Sequence, residues 1–422
     1  MRLAWMLAAV ASTASAVLAC SAIIGVEDVR LSREKDGGEE LDEGVALDEG
    51  GEPIDSSPGR AEASVQLALG YLHSCARKTD GKVRCWGENG AGQLGDGIPF
   101  EAGTRPVRVV PQDVAGVDDA IELASGLSHS CVIRRGGGVA CWGLNTFGQL
   151  GDGTTTRSSS AVTVTGVAGA ISLAAGTSFT CALLSGGAVS CWGANYSGQL
   201  GDNSKVNRPT AAPVQGLTGA VSLAAGEHHA CAVVAKAKVM CWGKNDEGQL
   251  GNGSTVESLV PTPLASLDDV VQVVAASRFT CARLAFGQVN CWGANTLGQL
   301  GTGSPNAAPN PSPAITAVSD AVSIWVGYEH ACAARRGGEV SCWGAAGEGQ
   351  VGSGSVPADA SVPRPTTVVG ISGALAVSTG GDHSCGTTST GGIFCWGSNT
   401  LGQLGNGTKE RAFAAVPVSG FP

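Results

Sequence analysis

The chain has 422 residues, 43% of them hydrophobic and only 15% charged, with a formal net charge of −10. A large buried core is within reach, while the 64 glycines lack the strict three-residue period of collagen and the negative balance argues against a nucleic-acid partner, which would want a basic face. Fifteen cysteines raise the question of whether they hold metal, carry redox chemistry or staple the fold.

The N-terminus reads as an export signal. Arg2 is a short basic start, and "LAWMLAAVASTASAVLA" is apolar and gives way abruptly to polar sequence. The run is short for a membrane span and small residues crowd its end. Two cleavage readings compete. "ASA" (Ala14 to Ala16) is an A-x-A site, and "VLAC" (Val17 to Cys20) resembles the lipobox of bacterial lipoproteins, although Leu18 stands where a small residue is usual. Fourteen cysteines fall into seven pairs and Cys20 alone is left over, which favours lipidation of Cys20 after removal of a signal peptide over 1–19. The expectation is a bacterial cell-envelope protein, an outer-membrane lipoprotein with Ser21 next to the lipidated residue, or alternatively a secreted one.

Residues 20–63 form an acidic linker. Between 21 and 62 there are 13 acidic residues against four basic ones (Arg30, Arg33, Lys35, Arg60), so nearly all of the net charge sits there and the remainder is close to neutral. The segment has no aromatic residue and too little apolar surface to fold, which predicts a disordered spacer rather than a calcium site.

From residue 64 onward the chain is a repeat array. Tryptophans of seven "CWG" strings stand at Trp86, Trp142, Trp192, Trp242, Trp292, Trp343 and Trp396, spaced by 56, 50, 50, 50, 51 and 53 residues. The units run over about 64–118, 119–168, 169–218, 219–268, 269–319, 320–372 and 373–422. Each holds a run such as "AVSLAAG", then "HHACAVV", then "KVMCWG", a "GQLGNG" loop, a variable polar stretch and a closing "P-x-x-V" segment. Short runs bounded by Gly and Pro, with no helical period, are strand chemistry. Four short strands per unit and seven units predict an all-β fold, a seven-bladed β-propeller over 64–422. The small-residue run suits the innermost strand, where the blades crowd together. The chain is expected to start on an inner strand (Val65 to Gly70) and to end on an outer one (Val416 to Gly420), closing the ring through side chains.

The cysteine spacing points to structural staples. Between Cys75 and Cys85 a three-residue loop, Thr79-Asp80-Gly81, places the two directly opposite across a hairpin. Such a loop wants its third residue left-handed, usually Gly. Gly81, Gly137, Gly187, Gly287, Gly338 and Gly391 supply it, and only Ala237 departs, so the fourth hairpin should be strained or use another turn. The cysteines fall on a pair without ladder hydrogen bonds, with Cα atoms about 4.5 Å apart, close enough for a disulfide. The expected bridges are Cys75–Cys85, Cys131–Cys141, Cys181–Cys191, Cys231–Cys241, Cys281–Cys291, Cys332–Cys342 and Cys385–Cys395.

Rival chemistries fit less well. Zinc needs about four ligands. Two residues before the first cysteine stand His73, His129, His229, His330 and His383, but Phe179 and Phe279 fill that place in two units, which marks a packing position. A redox pair would favour a two-residue spacing and a single copy. The "GQLGDG" loops lack the Lys-Ser or Lys-Thr of a phosphate loop, and Asp96 becomes Asn252, Thr302, Ser353 or Asn406 elsewhere. They read as tight turns with the Leu tucked between blades. No metal, cofactor or catalytic residue is expected; Glu227, His228, Asp246, Glu247 and Glu329 form no visible set in the sequence.

The pattern "H-x-C-A … V-x-C-W-G-x-N-x-x-G-Q-L-G-D-G" resembles the repeat of the regulator of chromosome condensation family over residues 65–422. "WGxNxxGQLG" is intact in six units; the sixth reads "WGAAGEGQVG", with Ala346 and Val351 substituted. The resemblance implies a seven-bladed propeller, and the paired cysteines are similar to those of exported bacterial members. The family's eukaryotic founder is a nucleotide exchange factor that binds chromatin, roles ill suited to an export signal and an acidic leader. A secreted bacterial relative clamps β-lactamases with one propeller face. The expected function is therefore a membrane-anchored, monomeric scaffold that binds a protein or a glycan, with an envelope enzyme acting on polysaccharide as the alternative. Ligand contacts are sought in the stretches that vary most: 98–105, 154–160, 204–210, 254–260, 304–313, 355–365 and 408–415.

Overall fold

The computed structural model describes residues 66–99, 106–264, 267–304, 310–315, 318–355, 357 and 359–422. The signal segment, Cys20 and the acidic linker lie outside the described residues, as do parts of the variable stretches of the first, fifth and sixth units.

Seven four-stranded antiparallel sheets follow one another, each made of four consecutive strands in the order inner, second, third, outer. Blade 1 comprises Gln66–Leu69, His73–Arg77, Val83–Glu88 and Val107–Asp113; blade 7 comprises Ala374–Thr379, His383–Thr388, Ile393–Gly397 and Ala412–Pro417. Each inner strand packs on the inner strand of the next blade, and that of blade 7 packs on that of blade 1, so the seven close into a ring. This is a seven-bladed β-propeller. The last strand pairs with the third strand of its own blade, Phe394 opposite Pro417 and Cys395 opposite Val416, and does not strap onto blade 1.

The core lies between blades. Seven apolar clusters each combine the half-cystines of one blade with the "CWG" tryptophan of the next, as Cys75, Cys85, Leu94 and Trp142 do between blades 1 and 2. All seven tryptophans are buried. Small residues at the inner strand, such as Ala124, Ala174 and Ala224, are more than 90% buried where the blades converge.

Outer strands begin earlier than the "P-x-x-V" signal suggests. They span Ser158–Thr163, Arg208–Pro213, Ser258–Pro263, Ser361–Thr367 and Ala412–Pro417 in blades 2, 3, 4, 6 and 7, so the C-terminal parts of the variable stretches are strand, and 418–420 is turn with Val418 buried. An outer strand has one unpaired edge and tolerates proline there, as "RPTAAP" and "SLVPTP" show. That tolerance is what disguised these strands in the sequence. The open edge is partly covered: Gly97 N donates to Ser159 O, Gly153 N to Pro209 O and Gly407 N to Val109 O, each from the loop of one blade to the outer strand of the next.

The central hairpins carry the bridges. Cys75 pairs with Cys85 and the other six pairs follow the same register, with Cα–Cα distances of 4.0–4.1 Å. Each turn is a three-residue loop, closed in blade 1 by Lys78 N to Lys82 O and Gly81 N to Lys78 O. Gly81 has φ +84°, and a Cβ there would stand 2.6 Å from Asp118 O of the next blade. In blade 4 the turn is different: Lys236 (φ 65°) and Ala237 (φ 56°) are both left-handed.

Candidate functional site

Alternation of strand direction sorts the connections onto two faces. The turn from inner to second strand and the loop from third to outer strand share one face, the loop face. The disulfide hairpins and the links to the next blade share the other, as Ala120 N bonded to Gly81 O records. The described loop parts of the variable stretches therefore belong to the loop face, and their C-terminal parts run on into the outer strands.

Their bases are built the same way in six blades. In blade 2, Asn145 Oδ1 accepts from Leu150 N while its Nδ2 donates to Asp152 Oδ1 and to the carbonyls of Thr154 and Thr156. Gln149 Oε1 accepts from Phe147 N. One asparagine thus organises the "GQLG" turn and the start of the variable stretch, and its replacement by Ala346 removes that clamp from blade 6. The Gln backbone carbonyl faces the next blade and accepts from its buried tryptophan, as Trp192 Nε1 to Gln149 O at 2.9 Å and Trp86 Nε1 to Gln403 O at 2.8 Å. The last Gly of the motif allows this approach: a Cβ on Gly95 would stand 2.8 Å from Trp142 Nε1.

The histidines before the first cysteines do more than pack. His129 Nε2 lies 2.9 Å from Thr180 Oγ1, and the same contact joins His73 to Ser130, His229 to Thr280, His330 to Ser384 and His383 to Ser74. Thr180 donates its own proton to Gln149 O, so His129 Nε2 must carry the hydrogen and Nδ1 is bare and unpartnered. Burial pushes His73, His229, His330 and His383 down to about 3 and His129 to about 4, so all are neutral. Where the ring is Phe179 or Phe279, the next blade offers Ala230 or Ala331 in place of the hydroxyl. That pairing, offset by one repeat, was readable in the sequence.

At the centre of the loop face the turns form a ring. Gly381 N donates to Tyr71 O, Tyr71 N to Leu127 O, Tyr328 N to Gly380 O and Glu227 N to Ser277 O. These turns encircle the propeller axis at its loop-face mouth, and here the repeats stop echoing one another. Tyr71 of blade 1 and Tyr328 of blade 6 meet edge to face with ring centroids 5.3 Å apart. They can do so because Gly381 of the intervening blade 7 has no side chain; a Cβ there would stand 2.7 Å from the Tyr71 ring. Arg278 reaches Glu227 and Glu247, each at 3.7 Å. His228 Nε2 is 3.4 Å from Glu227 Oε1, and its ring stands edge to face with Tyr196 at 5.1 Å. Lys244 pairs with Asp246 at 3.1 Å and Arg411 with Glu348 at 3.7 Å.

Two carboxylates at this mouth have no basic partner within salt-bridge distance among the described residues: Glu329 and Asp382. Asp382 accepts from Gln350 Nε2 at 3.3 Å. Burial, and then the charges of Glu348 and Glu329, raise its pKa; burial also raises that of Glu329, against the pull of Arg278. The singletons that form no set along the chain, Glu227, His228, Asp246, Glu247 and Glu329, thus gather on one face, joined by Tyr71, Tyr196, Arg278, Tyr328 and Asp382, which sequence reading passed over. Their only signal was departure from the repeat at turn positions. No group of three or more His, Cys, Asp or Glu side chains among the described residues is arranged to hold a metal ion.

Comparisons with known proteins agree with this architecture. The model of the regulator of chromosome condensation (RCC1) repeat matches residues 80–133, 136–183, 186–233, 237–283, 287–334 and 390–420, and a second model of that repeat matches five segments between 65 and 403. Prp20p of Saccharomyces cerevisiae, studied for its binding to Gsp1p and histones, superposes with a TM-score of 0.70 at 22% identity, over 84% of this chain and 87% of its own. Human WBSCR16 gives 0.67 at 21% identity, over 78% and 88%. The rat protein described as probable E3 ubiquitin-protein ligase HERC4 is 41% identical over 87 residues, 21% of this chain and 8% of the relative's length. With repeat matches across the propeller and the seven blades closed into a ring, the chain belongs to the regulator of chromosome condensation (RCC1) repeat family.

Proposed function

We propose that this protein is an exported propeller scaffold, tethered to a membrane through Cys20, that binds a protein partner with its loop face. The observation that carries the reading is the gathering of non-repeated side chains at the loop-face mouth. The sevenfold residues are accounted for by folding, whereas Tyr71, Glu227, His228, Arg278, Tyr328 and Asp382 serve no repeated structural purpose. Rigid asparagine-clamped loops around them supply a broad polar surface, the usual seat of recognition. Propellers of this fold offer precedent, since Prp20p is known for its binding to Gsp1p and histones and also for its complex with Kap60. Seven buried disulfides suit an oxidising compartment, and the "VLAC" string with its odd cysteine supplies the tether.

Two experiments test this. A photo-crosslinking residue at Tyr196 on the loop face should capture an envelope protein, whereas one at Phe286, which is 74% exposed on a disulfide hairpin, should not. Capture from Phe286 alone would place recognition on the wrong face. Fatty-acid labelling should mark the wild type and not Cys20→Ser; labelling of both, or of neither, removes the tether.

A second reading is an envelope enzyme acting on polysaccharide, favoured by the raised carboxyls of Glu329 and Asp382 at one mouth. Release of reducing ends from envelope glycans, abolished by Glu329→Gln, would establish it.

A further inference from the structure

We propose that the loop-face mouth, where the turns ring the propeller axis, receives a basic side chain, lysine or arginine, presented by the protein partner. This rests on the loop-face reading above and adds the chemistry of what docks at its centre.

The first observation is aromatic. Tyr71 and Tyr328 come from blades 1 and 6 and converge over Gly381, whose missing side chain makes room for the ring of Tyr71. Trp325, three residues before Tyr328 in the chain, occupies an inner-strand position that is Ala in blades 2, 3 and 4, and it is 38% exposed. The negative faces of such rings attract a cation within about 6 Å.

The second observation is charge. Every basic side chain found at the mouth is already engaged: Arg278 with Glu227 and Glu247, Lys244 with Asp246, and Arg411 with Glu348. Those three cations face six carboxylates, Glu227, Glu247, Asp246, Glu348, Glu329 and Asp382, so the charge left over is negative. Glu329, next to Tyr328, and Asp382, on the blade 7 turn between the two tyrosines, have no salt-bridge partner among the described residues, and Arg278 acts on Glu329 only from beyond that distance. Asp382 is held on one side by Gln350, a neutral donor that does not offset its charge. Rings that favour cations and an excess of carboxylates over cations coincide at a single place, where Arg278 is shared among Glu227, Glu247 and, from farther off, Glu329. A phosphate or carboxylate ligand would find no free cation there. A neutral glycan could stack on the rings but would leave both carboxylates without a salt-bridge partner. A lysine or arginine side chain satisfies both, and its long aliphatic stem can lie against the tyrosine rings while the charged head meets the carboxylates.

The test needs a local readout, because the acidic stretch 21–62 will attract any basic peptide. The chain contains only three tyrosines, Tyr71, Tyr196 and Tyr328, all on the loop face. Full-length protein labelled with 3-fluorotyrosine therefore gives three fluorine resonances, assigned with Tyr71→Phe and Tyr328→Phe. Titration with a tetra-arginine peptide should shift the Tyr71 and Tyr328 signals saturably, with an affinity that falls as salt is added. Glu329→Gln/Asp382→Asn should weaken that response about ten-fold or more. The three dispersed resonances of the unbound double variant report that it is folded; if they collapse, each single substitution is read instead, with a weakening expected from either. No saturable shift at Tyr71 and Tyr328, equal affinity in the variants, or a response to a neutral chito-oligosaccharide and not to the peptide would overturn the proposal. Loop-face crosslinking at Tyr196 is scored separately, so a partner captured there with silent tyrosines would remove the basic side chain and leave the binding face in place.

Discussion

His383 Nε2 lies 2.8 Å from Ser74 Oγ, a contact between residues 309 positions apart that joins the last blade to the first. Ser74 passes its own proton to Gln403 O, which also accepts from Trp86 Nε1. The ring is thus shut by the same relay that joins neighbouring blades elsewhere, and no strand exchange is needed.

Removing the hydroxyl should cost stability at that seam. Ser74→Ala leaves the His383 N–H buried without a partner, which costs about 1–3 kcal/mol. His383→Phe added to Ser74→Ala recreates the Phe–Ala pairing native to the interfaces of blades 3 with 4 and 5 with 6, so the double variant should recover much of the loss. Guanidinium midpoints for the two singles and the double give the coupling; strict additivity would show that the pair does not communicate.

The five buried histidines set an acid limit. Each has its pKa lowered by burial, to about 3 for four of them and about 4 for His129, against about 6.5 unfolded. A depressed histidine pKa means that the unfolded chain takes up the proton first. Their contribution is therefore complete above pH 6.5 and is lost as pH falls toward 3–4, at up to about 1.4 kcal/mol per pH unit for each ring. Glu122 acts oppositely: burial lifts it to about 7, so its contribution is present below about 4.5 and is lost as pH rises toward 7. Five rings outweigh this one carboxyl between pH 4.5 and 6.5, and the midpoint of unfolding should fall steeply across that window. His129→Phe/Thr180→Ala should flatten the slope by about one proton.

What could be read in the sequence was what is local. Cys75, Gly81 and Cys85 lie within a single hairpin, so spacing and turn chemistry sufficed to pair them. The repeat count followed from the seven tryptophans. The outer strands were misplaced because one of their edges is free, which lets proline and polar residues stand where a central strand would show alternating apolar ones. The mouth could not be seen because Tyr71, Glu227 and Tyr328 come from blades 1, 4 and 6 and meet only when the ring closes. The seam contacts were half visible: Phe179 with Ala230 and Phe279 with Ala331 covary with the histidines and hydroxyls, but at an offset of one blade that only the closed ring explains.

The fourth hairpin should be improvable. Ala237 sits at φ 56° beside Lys236 at 65°, whereas the corresponding position in the other six hairpins is Gly. A left-handed alanine costs roughly 1–2 kcal/mol over a relaxed one, partly offset in glycine by its greater freedom when unfolded. Ala237→Gly should therefore stabilise the protein by about 0.5–1 kcal/mol in thermal or chemical unfolding. Gly187→Ala, the reverse change one blade earlier, should destabilise it, because its Cβ would stand 2.9 Å from Gly219 Cα.

The disulfides should stabilise the whole ring and be inaccessible within it. All fourteen half-cystines are buried and each lies in an apolar cluster shared with the neighbouring blade, so reductant cannot reach them without opening an interface. A bridge closing so short a loop contributes roughly 2–3 kcal/mol by restricting the unfolded chain, and replacing both sulfurs by Ala also leaves a small void beside the next blade's tryptophan. Cys75→Ala/Cys85→Ala and Cys231→Ala/Cys241→Ala should each lose at least that much. Native protein should present none of these fourteen sulfurs to a thiol reagent after mild reduction, and all of them should react once denaturant is added. Peptide mapping without reduction should return only pairs ten residues apart, Cys75 with Cys85 through Cys385 with Cys395. A bridge between two blades, or a reactive thiol among the fourteen in the folded protein, would contradict the assignment of each pair to its own hairpin.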